Sequence, residues 1–275
     1  MNTFKKLAAV AVALTMSAGA LQAGDVLDKV MADGVLRIST DPAWPPQSFL
    51  DENNEMDGFD VDVARAIAAK LGVEAAFVTP DWSLITAGNW AGRWDISVGS
   101  MTPTKERAEV LSFPAIYYYV PASVAVHNDS DAQAHSDLNG RTIGVSAAST
   151  WEQYLRHDLV IDAVGVPEFD YEIDPGEIKT YGTDIPVIDE LRLGDGVRIN
   201  AMIGSLPNFL DAIKNGYPIR VLGEPLFFEP LAVAVDLGDE EFSAKVGEIV
   251  EALREDGTLA ELSEKWYDFD FANTN

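Results

Sequence analysis

The segment 99–107, GSMTPTKER, has the residue types of a small-anion site. Thr102 followed by Pro103 predicts a helix start, because a hydroxyl can cap the first N–H groups and proline is tolerated at the first helical position. The first turn of such a helix carries unpaired N–H groups and a partial positive charge, which favour a carboxylate or sulfonate. Arg107 adds a planar guanidinium that can bind the same anion through two hydrogen bonds. By themselves these residues fit an anion site or a short surface helix with an exposed arginine.

The N-terminus has the pattern of a secretory signal peptide. Lys5 and Lys6 precede an apolar run at 7–14, and small residues lead to a cleavage site after Ala23 or Ala20. The run is shorter than the about 20 apolar residues that a membrane-spanning helix needs. The chain has no cysteine, so it has no lipid anchor on an N-terminal cysteine, no disulfide and no thiol-bound metal. We therefore expect a soluble periplasmic protein whose mature chain starts near residue 24.

The net charge excludes two classes of partner. It is -26 for the whole chain and -28 once the two leader lysines are removed. Such a surface repels nucleic acid and anionic membranes. An acidic stretch at 168–177 has no spacing of the EF-hand type, so we predict a solvated loop there and no metal site. No cofactor motif is present, and we expect a monomer.

Strand and helix signals alternate along the chain and predict parallel sheets covered by helices. A first unit has strands at 35–39, 73–78 and 94–98 and a helix at 60–72. A second unit starts with a strand at 142–145 and a helix at 149–155, where Ser149 with Glu152 or Thr150 with Gln153 forms a capping box. Extended apolar runs at 117–127 and 225–235 connect the two units, and a helical segment at 241–266 is interrupted at Asp256 and Gly257.

Five motifs follow one another along the chain: LRISTDPAWPP at 36–46, GFDVDVA at 58–64, DWSLI at 81–85, SMTPTKER at 100–107 and DGTL at 256–259. In this order they resemble the periplasmic solute-binding proteins of polar amino acid ABC importers, solute-binding protein family 3, which include the histidine-, glutamine- and lysine/arginine/ornithine-binding proteins. The resemblance covers nearly the whole mature chain. It implies an α/β, two-lobed fold of periplasmic binding protein type II, with two hinge strands and an interlobe ligand cleft. The implied first lobe comprises residues 24–122 and 229–275, and the second comprises 123–228.

The resemblance also implies site residues. The family's S-x-[ST]-x-x-x-x-R motif, which holds the ligand's carboxylate, falls on Ser100, Thr102 and Arg107. Its helix start in the second lobe falls on Ser149 and Thr150, which would hold the same group from the other side. An acid and an aromatic residue facing the ligand's side chain fall on Asp41 and Trp44, although both could simply shape a proline-rich turn. Further aromatic residues expected near the cleft or hinges are Trp82, Trp90, Tyr117, Tyr118 and Phe227 or Phe228. They could form a cage for a methylated nitrogen or pack the lobe edges.

One position departs from the family pattern. Amino-acid-binding members place an aspartate after a second-lobe strand, where it pairs with the ligand's ammonium, and this position is Ser205 here. A buried ammonium without a carboxylate partner is costly. Either another acid replaces the aspartate, with Glu224, Glu229 and Asp184 as candidates, or the ligand is not a conventional α-amino acid.

These observations predict an importer's receptor that captures a small carboxylate- or sulfonate-bearing nitrogenous solute and delivers it to the membrane subunits of an ABC permease. We expect no catalysis, since the sequence has no nucleophile motif, metal cluster or phosphate loop. Two alternatives remain: a ligand-sensing module for a membrane partner, and a periplasmic dehydratase of the cyclohexadienyl type. The dehydratase would need a buried general acid near the anion site.

Overall fold

The computed structural model describes residues 25–273. The predicted signal peptide, residues 1–23, lies outside the described residues. Within residues 25–273, no helix combines the length and apolar character needed to cross a membrane.

The helices and strands alternate much as the sequence predicts. The helices are α1 (Asp25–Asp33), α2 (Phe59–Leu71), α3 (Trp82–Thr86), α4 (Thr150–Leu155), α5 (Asp184–Leu191), α6 (Leu206–Lys214), α7 (Glu240–Glu255) and α8 (Thr258–Tyr267). The strands are β1 (Val35–Ser39), β2 (Ala43–Trp44), β3 (Ser48–Leu50), β4 (Met56–Asp57), β5 (Glu74–Val78), β6 (Ile96–Met101), β7 (Leu111–His127), β8 (Thr142–Ser146), β9 (Glu177–Tyr181), β10 (Ala201–Ser205) and β11 (Ile219–Asp236).

Local sequence explains where the helices begin and end. Helix α2 stops at Gly72, whose left-handed backbone lets its N–H bond the last carbonyls of the helix. Helix α4 starts at Ser149, whose Oγ accepts the N–H of Glu152 at 3.1 Å, while the Glu152 carboxylate accepts the N–H of Ala148 at 2.8 Å. The prediction of a helix at 149–155 is therefore confirmed. The predicted interruption at Asp256 and Gly257 is also confirmed, because α7 ends at Glu255 and α8 begins at Thr258.

The main sheet has eight strands in the order β5-β1-β6-β11-β7-β10-β8-β9. Strands β7 and β11, which are 17 and 18 residues long, pair antiparallel in the middle. Parallel pairs lie on either side of them, β1 with β5 and β6 on one side and β8 with β9 and β10 on the other. The two long strands therefore connect the two halves of the sheet, since β11 also pairs with β6 and β7 also pairs with β10.

Separate hydrophobic cores lie on the two sides of this central pair. One group of cores is built by residues 30–120 and 231–272, and the other by residues 122–227. We call the two parts the first and second lobes. The chain changes core within β7 and within β11, where the predicted boundaries at 122/123 and 228/229 also fall. Those boundaries remain a prediction.

Main-chain and side-chain contacts join the lobes across the cleft. Thr104 forms an isolated antiparallel bridge with Ile161. Beside it, the Lys105 N–H donates to the Val160 carbonyl at 2.9 Å, and the Asp162 N–H donates to the Pro103 carbonyl at 2.8 Å. Elsewhere the Asn208 amide donates to the Pro45 carbonyl at 3.0 Å. The structure therefore shows the lobes in direct contact.

The prediction of a helix that begins at Thr102 is wrong. Strand β6 ends at Met101, the chain continues without helix through Glu106, and only a three-residue 3-10 helix, Arg107–Glu109, follows. The Pro103 carbonyl, which a helix would use to accept the N–H of Arg107, instead accepts the N–H of Asp162 in the second lobe, and the Arg107 N–H donates to the Thr104 hydroxyl at 3.2 Å. Pairing between the lobes therefore overrides the local helix-start signal.

Candidate ligand-binding cleft

A cleft lies between the lobes and is lined by residues of both. The ends of parallel strands β1, β6, β8 and β9 lead into it, which is where ligands bind in open α/β sheets. Eight of the ten predicted site residues line this cleft: Asp41, Trp44, Trp82, Ser100, Thr102, Arg107, Ser149 and Thr150. Their roles in binding remain predictions, but the fold brings them together.

Arg107 provides a fixed positive charge in the cleft. Its side chain is buried, its Nη1 donates to the Thr102 carbonyl at 2.9 Å, and its Nη2 donates to the Ala148 carbonyl at 2.8 Å. The guanidinium carbon lies 5.6 Å from the centre of the Trp82 ring. Burial lowers the pKa of Arg107 to about 10, opposed by the charges of Glu229 and Glu106, so the group stays positive at neutral pH. Two of its five N–H groups are used in these bonds.

Glu229 places a carboxylate beside this cation. It lies on β11, is buried, and accepts hydrogen bonds from the Thr102 hydroxyl at 2.9 Å, the Thr150 hydroxyl and the Trp151 indole N–H at 2.9 Å. Burial raises its pKa, and the three hydrogen bonds and the charge of Arg107 oppose that rise. The two hydroxyl groups that the family resemblance assigns to the ligand's carboxylate thus donate to Glu229.

A second acidic group forms where the cleft meets α5. Asp184 accepts the indole N–H of Trp44 at 3.0 Å and the hydroxyl of Ser146. Burial raises its pKa to about 7, the two hydrogen bonds lower it, and the charges of Asp41 and Glu229 raise it further. Asp41 is half-buried and accepts the N–H of Ala43 at 2.7 Å, and burial also raises its pKa. The cleft therefore has one cation and three carboxyl groups among its lining residues.

Three indole rings form the aromatic part of the lining. Trp44 and Trp82 were predicted, whereas Trp151 was missed; the rings of Trp44 and Trp151 are 6.3 Å apart and inclined at 58°. The other predicted aromatic residues lie elsewhere. Trp90 packs at an angle against Trp94 in a first-lobe core, Tyr118 is buried against Phe59, Phe227 stacks on Tyr154, and Phe228 is exposed. A cage of all the predicted rings does not form.

The structure places two predicted site residues outside the cleft lining. The Tyr117 hydroxyl donates to Asp60 at 2.8 Å and accepts the N–H of Ser100 at 2.8 Å inside the first lobe. The Ser205 hydroxyl donates to Asn208 at 2.5 Å and accepts from the Gln47 amide at 3.2 Å, where the two lobes meet. The fold therefore does not bring Tyr117 and Ser205 to the cleft lining, because other protein groups enclose both hydroxyls, and their assignment to the ligand stays a prediction.

Sequence reasoning also missed the group behind Ser100. The Ser100 hydroxyl donates to both carboxylate oxygens of Asp60, at 2.9 and 2.8 Å, and also lies against the Tyr118 hydroxyl. Ser100 has a φ of 54°, an uncommon conformation for a residue with a Cβ atom. Ser100 thus faces the cleft while its hydroxyl points back to Asp60.

Of the three acids that could replace the missing aspartate, Glu229 and Asp184 line the cleft, while Glu224 is exposed. Ser146 and Thr183, which also line it, were not predicted. A usable signal existed, since both lie at or just after the carboxyl ends of parallel strands, β8 and β9.

A two-lobed α/β receptor with a charged cleft between its lobes is the class of protein that the fold and the cleft define. A family profile agrees: the bacterial extracellular solute-binding proteins, family 3, match residues 36–269. The chain belongs to this family.

Individual relatives agree with this assignment. The L-cystine-binding protein TcyJ of Escherichia coli K12 is 29% identical over 265 residues, which cover 95% of this chain and 93% of the relative. An ancestral arginine-binding protein bound to glutamine superposes with a TM-score of 0.73 at 30% identity and covers 85% of this chain and 98% of that protein. The ancestral amino acid-binding protein AncCDT-1, a precursor of cyclohexadienyl dehydratase, has a TM-score of 0.75 at 29% identity, with coverages of 88% and 99%.

Proposed function

We propose that this protein is the periplasmic receptor of an ABC importer and that it binds an amino acid between its lobes. In this proposal Arg107 binds the ligand's carboxylate, and the ligand's nitrogen faces the carboxyl groups of the cleft. The observation that carries it is the charge pattern: one buried guanidinium next to three carboxyl groups suits a molecule with both charges. Amino acids named for the relatives above, cystine, arginine and glutamine, have this pattern.

The acids of the cleft favour the first explanation for the missing aspartate at position 205, namely that another acid replaces it. Glu229 and Asp184 supply carboxylates where an ammonium group needs one, so a conventional amino acid remains compatible with the site. A betaine or a sulfonate is the second ligand class. The indole walls of Trp44 and Trp151 favour a methylated nitrogen through cation–π attraction, whereas they add nothing for a sulfonate.

A dehydratase would use Glu229 as a buried acid near Arg107. To act as an acid it must carry a proton, but its carboxylate is surrounded by donors: two hydroxyls and one indole N–H. These donors and the charge of Arg107 oppose the rise in the pKa of Glu229 that burial causes, although burial has the larger effect. Because the relatives named above are binding proteins, we propose binding without catalysis, and delivery of the ligand by a monomer whose signal peptide is removed on export.

A ligand screen tests the proposed function. The mature protein is purified under unfolding conditions, refolded to remove co-purified ligand, and heated with each compound in turn. We expect stabilisation by at least one of L-arginine, L-cystine, L-glutamine or L-histidine, since ligand at 100 times its dissociation constant adds about 2.7 kcal/mol. Isothermal titration then gives the affinity.

Three further arms separate the alternatives. Stabilisation by glycine betaine or taurine and by none of the amino acids would replace the proposed ligand class. Incubation with prephenate and arogenate, followed by the absorbance of the aromatic product, tests for dehydration, and we expect no turnover. If the monomer fraction binds the ligand as tightly as any larger species, the monomer is sufficient for binding, and this result supports a monomeric receptor.

A further inference from the structure

We propose that Glu229 is the group that pairs with the ligand's ammonium, in place of the aspartate that the family pattern puts at position 205. This inference rests on the proposed function, since it assumes an amino acid in the cleft. It moves ammonium recognition from the second lobe to β11, one of the two long strands that connect the lobes.

Position 205 cannot serve an ammonium group in this chain. Ser205 has no charge, is fully buried, and is bonded to Gln47 of the first lobe and Asn208 of α6. It is also not among the lining residues of the cleft. Ser205 instead belongs to the contact between the lobes.

Glu229 has the position that an ammonium partner needs. Both of its oxygens are held: Oε1 accepts the hydroxyls of Thr102 and Thr150, and Oε2 accepts the indole N–H of Trp151. These donors come from both lobes and hold a carboxylate that also lines the cleft. A carboxylate has about four lone-pair sites, so three donors leave room for a further donor.

The distance between the two charged groups of an amino acid also favours Glu229. The α-carboxylate and α-ammonium are attached to one carbon, so their partners must lie close together. Arg107 and Glu229 both bond Thr102, the first through the Thr102 carbonyl and the second through its hydroxyl. An amino acid with its carboxylate on Arg107 would therefore place its ammonium near Glu229.

Asp184 is the competing candidate, and its contacts place it differently. It is held by Ser146 and Trp44, and it interacts with the charges of both Asp41 and Glu229. The Trp44 ring that donates to Asp184 and the Trp151 ring that donates to Glu229 lie 6.3 Å apart, so different indole groups hold the two acids. We therefore assign Asp184 to the side-chain end of the ligand.

The experiment compares ligands with and without the α-ammonium. Isothermal titration measures L-arginine against 5-guanidinopentanoic acid, and L-glutamine against glutaramic acid, which lack only that group. The unaltered protein is compared with Glu229→Gln and, as the matched control, Asp184→Asn; each change removes one carboxylate at nearly constant volume. The melting temperature of each ligand-free variant shows whether it folds.

We expect the unaltered protein to prefer the amino compound by about 100-fold, as for other buried charge pairs. Glu229→Gln should reduce that preference to less than about 10-fold, because the ammonium loses its partner. Asp184→Asn should keep the preference, even where it weakens L-arginine binding overall.

Several results would overturn the inference. If Glu229→Gln keeps the full preference while binding amino acids, Glu229 is not the partner and the proposed function stands. If Asp184→Asn alone removes the preference, the role belongs to Asp184. If the unaltered protein binds neither L-arginine nor L-glutamine, the inference fails for these two ligands. The remaining amino acids of the ligand screen then decide whether the proposed function stands. Should Glu229→Gln not fold, Glu229→Asp retracts the carboxylate by one methylene, and an unchanged preference there would contradict the inference equally.

Discussion

Asp60 and Glu229 are both buried carboxyl groups that accept hydrogen bonds from hydroxyls, yet their surroundings differ. Asp60 accepts from Ser100 and Tyr117, and both donors belong to the first lobe. Glu229 accepts from both lobes and interacts with the charge of Arg107. Burial raises the pKa of Asp60 to about 7, and no cation contributes to it. The difference indicates that Asp60 serves the structure of one lobe, whereas Glu229 links the two lobes and the site.

Replacing Arg107 removes the cation that distinguishes the surroundings of Glu229 from those of Asp60, and it should give the largest effect. Arg107→Ala would leave Glu229 without its neighbouring cation, as Asp60 is. We expect binding of the tightest amino acid to weaken by about 2–5 kcal/mol, as when one partner of a buried charge pair is removed. Isothermal titration measures it. Arg93→Ala, which removes a guanidinium stacked on Trp94 away from the cleft, is the control, and undiminished affinity in Arg107→Ala would refute the carboxylate assignment.

Removing the Asp60 carboxylate should affect stability more than recognition. Asp60→Ala removes the carboxylate that accepts the hydroxyls of Ser100 and Tyr117 and leaves a buried gap, and losing the partner of a buried polar group costs about 1–3 kcal/mol. We expect about 3 kcal/mol less free energy of unfolding in urea. Asp33→Ala, which breaks an exposed pair with Arg37, should change it by less than about 1 kcal/mol. Equal losses in the two variants would contradict the structural role of Asp60.

The pH dependence of the free energy of unfolding should reveal the titration of the Asp60 carboxyl group. The pKa of Asp60 is about 7 in the folded protein and 3.8 without the fold, so between these values the folded state binds more protons than the unfolded state. The free energy of unfolding should therefore fall as the pH rises through this window. Asp60→Asn should flatten the curve, and Asp184, whose pKa is also about 7, should account for part of the remaining slope. Urea titrations between pH 4 and 8 measure it; an unchanged slope in Asp60→Asn would contradict the assignment.

The smallest effect concerns the acid at the other end of the cleft. Trp44→Phe keeps an aromatic ring but removes the indole N–H that donates to Asp184. The pKa of Asp184 should rise further, and the affinity for L-arginine at pH 7 should fall by about 1 kcal/mol. Trp82→Phe is the control, because it loses a bond to the Ala148 carbonyl and none to a carboxylate. Titrations at several pH values should show a shifted midpoint in Trp44→Phe alone.

The fold was predictable because its signals are local. Strand β1 and the start of α4 follow from hydrophobic periodicity and from the hydroxyl of Ser149, and the structure bears out both. The segment after β6 carried a similar signal in Thr102 and Pro103, and there the prediction failed. Its backbone pairs with residues 160–162, which are far away in sequence, and no local rule contains that contact.

The candidate site was predictable where the fold alone brings residues to the strand ends. Tyr117 lies outside the cleft lining because it turns into the first lobe with its neighbour Tyr118: both are fully buried around Asp60 and Ser100. Ser205 lies outside the lining because Gln47 of the first lobe bonds its hydroxyl. Trp151 was overlooked, and its place in the cleft depends on its bond to the distant Glu229. Each difference concerns a contact between distant parts of the chain.

The bridge between Thr104 and Ile161 has a consequence for how such a protein can change through evolution. The bonds around it join main-chain N–H and carbonyl groups, which every residue except proline supplies in full. Nearby, the Gln153 amide donates to the Glu106 carboxylate at 2.7 Å, and this contact disappears with either side chain. Substitutions along 104–105 and 160–162 can therefore alter the rim of the cleft, and with it access for new solutes, while the main-chain pairing of the lobes persists.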